Sequence, residues 1–226
     1  MLLNKHNFAV ADFVSKEKSR YTLQAIHVSD KGTCATDGHQ LVRISLPGEK
    51  SERFPSIEGV TPTNGHVNPF LLDVTAAKQI GKAVPKSRNL PILNHAVVGE
   101  ATDQNACIAV TDLENPQVFR PRTPSGNFPN VDAVIPKRKP IFEIAVNASL
   151  LAGIVKAASA FTSEPNNDVL LRFYGKDEVV SVHSRNSETE QTFLALLMPL
   201  RMSEPQHYGV TNAKQRGASD ETQPTQ

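Results

Sequence analysis

The chain has 226 residues, of which 39% are hydrophobic, and a formal net charge of +1 at pH 7. That length suffices for one large domain or two small ones, and a charge this close to zero excludes a global charge excess that would drive binding to nucleic acid or to a membrane surface. Residues 1–6 lack the apolar core of a signal peptide, and no apolar run is long enough to span a bilayer, so we expect a cytoplasmic protein. In that reducing compartment Cys34 and Cys107 are expected to be buried free thiols.

Residues 20–44 predict antiparallel strands joined by a tight turn. Apolar and polar residues roughly alternate over residues 20–33, as in a strand pair. Asp37 and Gly38 favour the turn, because glycine adopts a positive φ without steric cost and aspartate tolerates it. Residues 41–44 then resume the strand.

Residues 66–136 follow a plan of one strand, a short helix and three further strands. The helix is predicted over residues 74–84, with Asp73 as its N-cap and Pro85 as its end. Apolar runs that are typical of strands follow at residues 92–98, 106–111 and 117–120.

Residues 141–202 repeat this plan. Residues 142–146 alternate like a strand, and either Asn147 or Ser149 can cap the helix that follows. Three runs typical of strands come next, at residues 169–174, 179–183 and 192–198. Residues 203–226 are polar and rich in Gln, Thr, Ser and Glu, and we predict that they form a disordered tail.

Three short motifs carry information about relatedness. Residues 35–41 are Ala-Thr-Asp-Gly-His-Gln-Leu, residues 127–136 are Asn-Phe-Pro-Asn-Val-Asp-Ala-Val-Ile-Pro, and residues 196–202 are Leu-Leu-Met-Pro-Leu-Arg-Met. In this order they resemble three segments of the bacterial DNA polymerase III sliding clamp (β subunit) family, which read Ala-Thr-Asp-Gly-His-Arg-Leu, Phe-Pro-Asp-Tyr…Ile-Pro and Val-Val-Met-Pro-Met-Arg-Leu. Residues 8–20 resemble the end of a family helix with its loop, so the resemblance covers roughly residues 8–202.

The resemblance implies an α+β, DNA-clamp-like fold, in which repeated β-α-β-β-β units form antiparallel sheets with helices on one face. Residues 1–136 would be a clamp-like domain, made of a first unit at 1–48 that lacks its first strand and most of its helix, and a second unit at 66–136. Residues 141–202 would be a half-domain of one unit. Family protomers have six units, which leaves ring closure open. An unmatched sheet edge in the half-domain makes self-association plausible.

The resemblance also implies a groove between the first and last units that binds linear peptides of partner proteins. Such a site needs apolar pockets for anchor side chains and a few polar groups that hold the peptide backbone. Ordinary hairpin and edge-strand packing is the alternative role for each residue taken alone. The candidate peptide-binding residues are Arg20, Leu23, Thr36, Gly38, His39, Gln40, Leu41, Pro129, Val134, Asn147, Leu150, Met198, Pro199, Leu200, Arg201 and Met202.

Three positions depart from the family pattern. Gln40 and Ala133 stand where arginine is common, and Leu150 stands where tyrosine is common. The loss of two cations and one hydroxyl is expected to weaken the polar anchoring of a peptide or to shift the preference among peptides. We also considered that the polar tail after Met202 folds over the pocket and competes with partners.

Contact with double-stranded DNA is expected to be weak and non-specific. Lys78, Lys82 and Lys86 are spaced by four residues and can meet phosphates without reading bases. A solvated helix face explains the same lysines, and Lys86 lies beyond Pro85.

Catalysis is not expected. Asp37 and His39 flank a glycine, and this pair can ligate a metal or support acid–base chemistry. The chain has no glycine-rich phosphate loop, no His-Glu-x-x-His motif and no nucleophile elbow. We therefore expect neither a cofactor nor a metal.

Two functions fit the sequence. The first is a sliding-clamp-like processivity factor that binds DNA polymerase or repair proteins through short peptides and encircles DNA as an oligomer. The second is a non-encircling peptide-binding adaptor or competitor of the clamp, of the kind that suits a phage or mobile element. The size of the oligomer separates them, because a ring needs several copies.

Overall fold

Two four-stranded antiparallel sheets and two helices form the framework of residues 1–135. The computed structural model describes residues 1–61, 67–102 and 104–201, and the chain divides into the units Met1–Ile135 and Pro136–Gln226. Met202 and the predicted tail lie outside the described residues. In the first unit the strands are β1 (Leu2–Asn4), β2 (Ala25–Ser29), β3 (Gly32–Thr36), β4 (Leu41–Ile44), β5 (Phe70–Asp73), β6 (His95–Ala101), β7 (Ala106–Val110) and β8 (Gln117–Phe119), and the helices are α1 (Lys5–Ala9) and α2 (Val74–Ala83).

Each half of this unit gives its first strand to the sheet of the other half. One sheet has the strand order β1-β6-β7-β8 and the other β5-β2-β3-β4, with antiparallel neighbours throughout. The last residue of each exchanged strand is also the N-cap of the following helix. Asn4 lies opposite His95, and Asp73 lies opposite Ala25, so the two exchanges have the same register.

The expectation that the first unit lacks its opening strand is wrong. Leu2–Asn4 forms that strand, and it pairs with β6, more than 90 residues further along the chain. Asn4 then caps a five-residue helix, and its Oδ1 accepts hydrogen bonds from the backbone N–H groups of His6 and Asn7. A three-residue apolar run is too short to show a period, and its partner is not visible in local sequence.

The core of the first unit lies where α1 and α2 pack side by side over the sheets. Phe8 of α1 and Ile80 of α2 are buried there with Leu3, and Gly81 allows the close approach of the two helices. A Cβ atom added at Gly81 would lie 2.9 Å from the Cβ of Phe8. The buried Asn7 amide donates hydrogen bonds to the Thr33 hydroxyl and to two backbone carbonyls, which satisfies a polar group that burial would otherwise penalise.

The second unit has one helix over one three-stranded sheet in its described part. The elements are α3 (Ala148–Phe161), β9 (Leu170–Phe173), β10 (Val180–Asn186) and β11 (Gln191–Leu197), and the strand order is β11-β10-β9. Of the two predicted candidates, Asn147 and not Ser149 caps α3, because its Oδ1 accepts hydrogen bonds from the N–H groups of Ser149 and Leu150. The predicted strand at residues 142–146 is absent. In the first unit the equivalent strands β1 and β5 each pair with the sheet of the other half. Residues 136–201 contain only one such half, so residues 142–146 have no equivalent sheet to join.

Several local predictions are confirmed. The turn between β3 and β4 contains Asp37 and Gly38, and Gly38 has a φ of +96°. Asp73 caps α2, whose last residue is Ala83. Cys34 and Cys107 are buried and free. None of the helices in the described part of the chain has both the length and the apolar character needed to cross a membrane.

Candidate functional site

The turn after β3 is held in one shape by its own side chains. The Thr36 hydroxyl donates to the Gln40 carbonyl at 2.7 Å and accepts from the Gly38 N–H at 3.1 Å. One carboxylate oxygen of Asp37 accepts from the N–H groups of His39 and Gln40, at 2.9 Å each, and the other accepts from the Gln40 side chain. These hydrogen bonds, led by that from the Gln40 N–H, lower the pKa of Asp37 to about 2.

Arg20 supports this turn from outside. Its guanidinium donates from Nη1 to the Asp37 carbonyl at 3.3 Å, and its Nε forms a 3.0 Å ion pair with Glu17. A Cβ atom at Gly38 would lie 2.6 Å from the same guanidinium. The positive φ is what favours glycine at position 38, whereas the Arg20 guanidinium is the end of a flexible, exposed side chain that can move aside.

A cavity of about 350 Å³ opens beside this turn. Its apolar surface comes from Leu23, Leu41 and Val134, and polar groups of the turn line the other side. Eight of the sixteen predicted residues line it, and Arg20 does not. The full lining consists of Leu23, Thr36, Gly38, His39, Gln40, Leu41, Pro129, Asn130, Val131 and Val134.

The sequence prediction missed Asn130 and Val131. Both lie between Pro129 and Val134, at the start of a 3-10 turn formed by Val131–Ala133. The buried side chain of Val131 identifies this turn as part of the packed structure. The signal available in the sequence was that Asn130 and Val131 lie inside the same 127–136 motif as Pro129 and Val134, which were predicted.

An ion-pair cluster attaches the segment of residues 128–134, which forms the second wall of the cavity, to the sheet. Asp132 accepts a hydrogen bond from Lys31 at 2.6 Å and another from Arg43 at 2.7 Å, and these two bonds, with that from Lys31 the larger effect, lower the pKa of Asp132 to about 2. Phe128 stacks on His27, with ring centroids 4.9 Å apart. Burial lowers the pKa of His27, with a further contribution from Arg43, so an uncharged ring faces Phe128 at neutral pH.

The other predicted residues belong to the second unit. Met198 and Leu150 are 68% and 59% exposed, and Leu200 is exposed as well. The backbone N–H of Leu200 donates to the Ala145 carbonyl at 2.8 Å. The Asn147 side chain is engaged in capping α3, Pro199 is half-buried and Arg201 is exposed. Met198 also lines a second cavity of about 650 Å³, together with Leu194, Leu196 and Tyr174.

The lysines proposed to face DNA are all exposed. Lys78 forms a 2.8 Å ion pair with Asp12, and both side chains are at least half exposed, so this pair adds little stability. Lys86 lies beyond the end of α2. Within residues 1–61, 67–102 and 104–201 no group of three or more His, Cys, Asp or Glu side chains is arranged to hold a metal ion.

Neither a family model nor a curated protein matches this sequence. Solved structures of bacterial beta sliding clamps do match the fold. The C. crescentus beta sliding clamp has a TM-score of 0.60 and 15% sequence identity, over 88% of this chain and 50% of that one. The DNA polymerase III beta chain of Streptococcus pneumoniae has a TM-score of 0.61 and 20% identity, over 89% and 49%. The beta subunit from DNA polymerase of Streptococcus pyogenes has a TM-score of 0.60 and 16% identity, over 89% and 50%.

These similarities span nearly all of the described chain but only about half of each solved structure. Identities of 15–20% support a common fold and no finer conclusion. The chain therefore has the fold of the bacterial DNA polymerase III beta sliding clamps.

Proposed function

We propose that this chain is a sliding-clamp-like DNA polymerase processivity factor, and that it binds short linear peptides of its partners in the cavity beside the turn at residues 36–41. One observation carries the proposal. Eight residues selected through the family resemblance line a single cavity, although Leu23 and Val134 are more than 100 residues apart in the chain. Hairpin packing alone does not account for this convergence.

The cavity suits one apolar anchor side chain of a peptide. Its volume of about 350 Å³ is at the lower end of the range for ligand pockets. Leu23, Leu41 and Val134 would contact the anchor, and complete burial of a leucine side chain contributes about 1.5–3 kcal/mol. The His39 and Gln40 side chains lie at the polar side, where they can accept or donate hydrogen bonds to the peptide backbone.

The site is preorganised, which lowers the cost of binding. The Asp37 hydrogen bonds fix one wall, and the Asp132 ion pairs fix the other. Gln40 stands where the resemblance leads us to expect arginine, and its amide nitrogen is already bonded to Asp37. We therefore propose that this site depends more on apolar contacts than on charge.

The exposed side chains of Leu150, Met198 and Leu200 are proposed to contact a further part of the same peptide. Methionine suits such a surface because its flexible, polarisable side chain adapts to varied partners. Asn147, Pro199, Arg201 and Met202 complete this second set, which rests on the sequence resemblance. The proposed partners are DNA polymerases or repair proteins, and double-stranded DNA is proposed as a weak, non-specific ligand of Lys78, Lys82 and Lys86.

A non-encircling adaptor is the second candidate. It is favoured by the fact that the cavity beside the turn at residues 36–41 is lined by residues of the first unit alone. An adaptor would use the same cavity without a ring. Retention on nicked circular DNA in high salt, followed by release when the DNA is linearised, would support encirclement, and the absence of retention would support the adaptor.

Peptide binding is tested by fluorescence polarisation with a fluorescein-labelled Gln-Leu-x-Leu-Phe peptide. The parent chain should bind with micromolar affinity. Leu41→Asp should weaken binding at least about tenfold, since a charge in an apolar pocket is costly. Leu113→Asp is the matched control, because Leu113 is exposed, does not line the cavity and has a φ of 83° that aspartate tolerates. A folded parent that does not bind, or equal losses in both variants, would refute the proposal.

A further inference from the structure

We propose that a second copy of this chain completes the second unit, in a two-fold arrangement where each copy gives residues 144–147 to the β9 edge of the other. This inference does not depend on the cavity beside the turn at residues 36–41, but its interface includes Asn147 and Leu150, so a dimer would compete with a peptide for these two residues. It rests on a comparison between the two units of one chain, because the first unit shows what covers an equivalent helix and an equivalent sheet edge.

The donor segment is repeated three times along the chain. Each copy consists of three apolar residues and an Asn or Asp that caps the following helix. The three copies are Met1-Leu-Leu-Asn4, Phe70-Leu-Leu-Asp73 and Ile144-Ala-Val-Asn147. The first two have their apolar residues buried against the sheet of another half. In the third, Ile144, Ala145 and Val146 are half-buried and form no strand. The Ala145 carbonyl accepts a hydrogen bond from the Leu200 N–H, and the Asn147 carbonyl accepts the first hydrogen bond of α3, from the Leu151 N–H.

The acceptor edge is also present without a neighbour. β2 and β6 lie next to β3 and β7 on one side and next to the incoming β5 and β1 on the other. β9 lies next to β10 and has no strand on its other side within the described chain. All four residues of β9 are exposed, whereas β2 and β6 are largely buried. An open strand edge with an apolar surface favours pairing with another chain.

The face that carries α3 is incompletely covered. Phe161 of α3 packs on Phe193 of β11, which defines this face of the sheet. Leu171 and Phe173 of β9 lie on the same face and are 39% and 50% exposed. In the first unit, the second helix of the pair fills the corresponding position.

α3 itself presents an apolar surface to solvent. Ala158 is its one fully buried residue, while Leu150 and Val155 are exposed and Lys156 is its one charged residue. α2, by comparison, buries Ile80 and Gly81 against its neighbours. Of the 17 large hydrophobic residues that are exposed in the described chain, 12 lie in residues 136–201, and a concentration of this kind is typical of an interaction surface.

The register of the first unit predicts how the second copy pairs. In both exchanged strands the helix cap lies opposite the first residue of the acceptor strand. Asn147 would accordingly lie opposite Leu170, and Ala145 opposite Arg172. Glu143, two residues before Ala145, then becomes a diagonal neighbour of Arg172 on the same face. Neither Glu143 nor Arg172 forms an ion pair within the described chain, so each is available to the other copy.

A second copy is the partner that meets both requirements together. The second unit carries one donor segment and one acceptor edge, and a two-fold axis brings each donor to the other acceptor. A two-fold interface is self-complementary, so the same residues on both copies are used and association stops at a dimer. The two halves of the first unit are related in this way within one chain.

The first test is sedimentation equilibrium of the full chain. A mass of about 49 kDa is expected, twice the 24.6 kDa of one chain. Val155→Arg and Leu171→Arg should each shift the equilibrium towards monomer by at least about tenfold, because a charge would be placed in an apolar contact. Leu194→Arg is the control, because Leu194 lies on the opposite face of the same sheet and is 62% exposed, more than Leu171 or Val155. Circular dichroism verifies that each variant is folded.

The second test exchanges the charges of Glu143 and Arg172, which the proposed pairing brings next to each other. Glu143→Arg places two arginines together at both symmetric contacts and should weaken the dimer by up to about tenfold. The double variant Glu143→Arg/Arg172→Glu should restore it. A monomeric parent, an open-ended assembly, or a dimer that both Val155→Arg and Leu171→Arg leave unchanged would overturn the proposal. A folded Glu143→Arg/Arg172→Glu variant that does not regain the dimer would also overturn the proposal.

Discussion

The plan of a helix followed by three strands occurs in both units of this chain, but its apolar residues are buried to different extents. In residues 1–135, two halves exchange strands and bury almost every apolar residue of β2 and β6, together with Ala77 and Ile80 of α2. In the described part of the second unit, one half leaves β9 exposed and most of α3 in contact with solvent. The comparison shows that burial in this fold depends on the presence of the second half and is not a property of a single unit.

Position-matched residues make the difference measurable. Counted from the helix caps Asp73 and Asn147, Ile80 and Ile154 occupy the same position. Ile80 is completely buried, whereas Ile154 is half-buried. Two identical side chains at one structural position therefore report how much the missing half contributes.

The largest expected effect comes from truncating this pair. Ile80→Ala should lower the free energy of unfolding by about 2–5 kcal/mol, as expected for a fully buried isoleucine. Ile154→Ala should cost about 1–2 kcal/mol in dilute solution, because less apolar area is removed from water there. Urea denaturation followed by circular dichroism measures both values. Equal losses at low protein concentration would break the comparison, and a loss at Ile154 that grows with concentration would support the dimer.

The limits of sequence reasoning follow from the same difference. The turn at Asp37 and Gly38 and the caps Asp73 and Asn147 were predictable, because these signals are local. β1 was missed because its partner β6 is distant in sequence, and residues 142–146 were wrongly predicted as a strand because alternation does not report whether a partner sheet exists. Pairing is a non-local property.

The candidate site also contains both residues that the sequence identified and contacts that it did not. Leu23, Leu41 and Val134 were identified through family motifs, although they are distant in sequence. The ion pairs of Asp132 with Lys31 and Arg43 were not predicted, since they join one residue of the 127–136 motif to two residues about 90–100 positions away that belong to no motif. Contacts of this kind become visible only when the fold is known.

A smaller effect, with opposite signs in the two units, is expected for glycine substitutions within helices. Gly81→Ala should destabilise the protein by about 1–3 kcal/mol, because the added Cβ would lie 2.9 Å from Phe8. Gly153→Ala should stabilise it by about 0.5–1 kcal/mol, because no atom lies within 4 Å of the added Cβ and alanine is the better helix former. Thermal unfolding of the two variants tests this pair. Two effects of the same sign would show that α2 and α3 have equivalent surroundings.

The smallest effect concerns the segment that closes the first unit. Asp132 ties residues 128–134 to the sheet, whereas the described part of the second unit has one ion pair, a 3.9 Å contact between Lys176 and Asp177. The folded-state pKa of Asp132 is about 2, below its ordinary value of 3.8, so its contribution is complete above about pH 4 and is lost as the pH falls towards 2. The parent should therefore exceed Asp132→Asn in Tm at pH 7, and this gap should close in acid. Asp12→Asn, which removes an exposed pair with Lys78, should show a smaller gap at pH 7. A gap at Asp132 that persists at pH 2 would mean that packing of residues 128–134, rather than charge, holds this wall of the cavity.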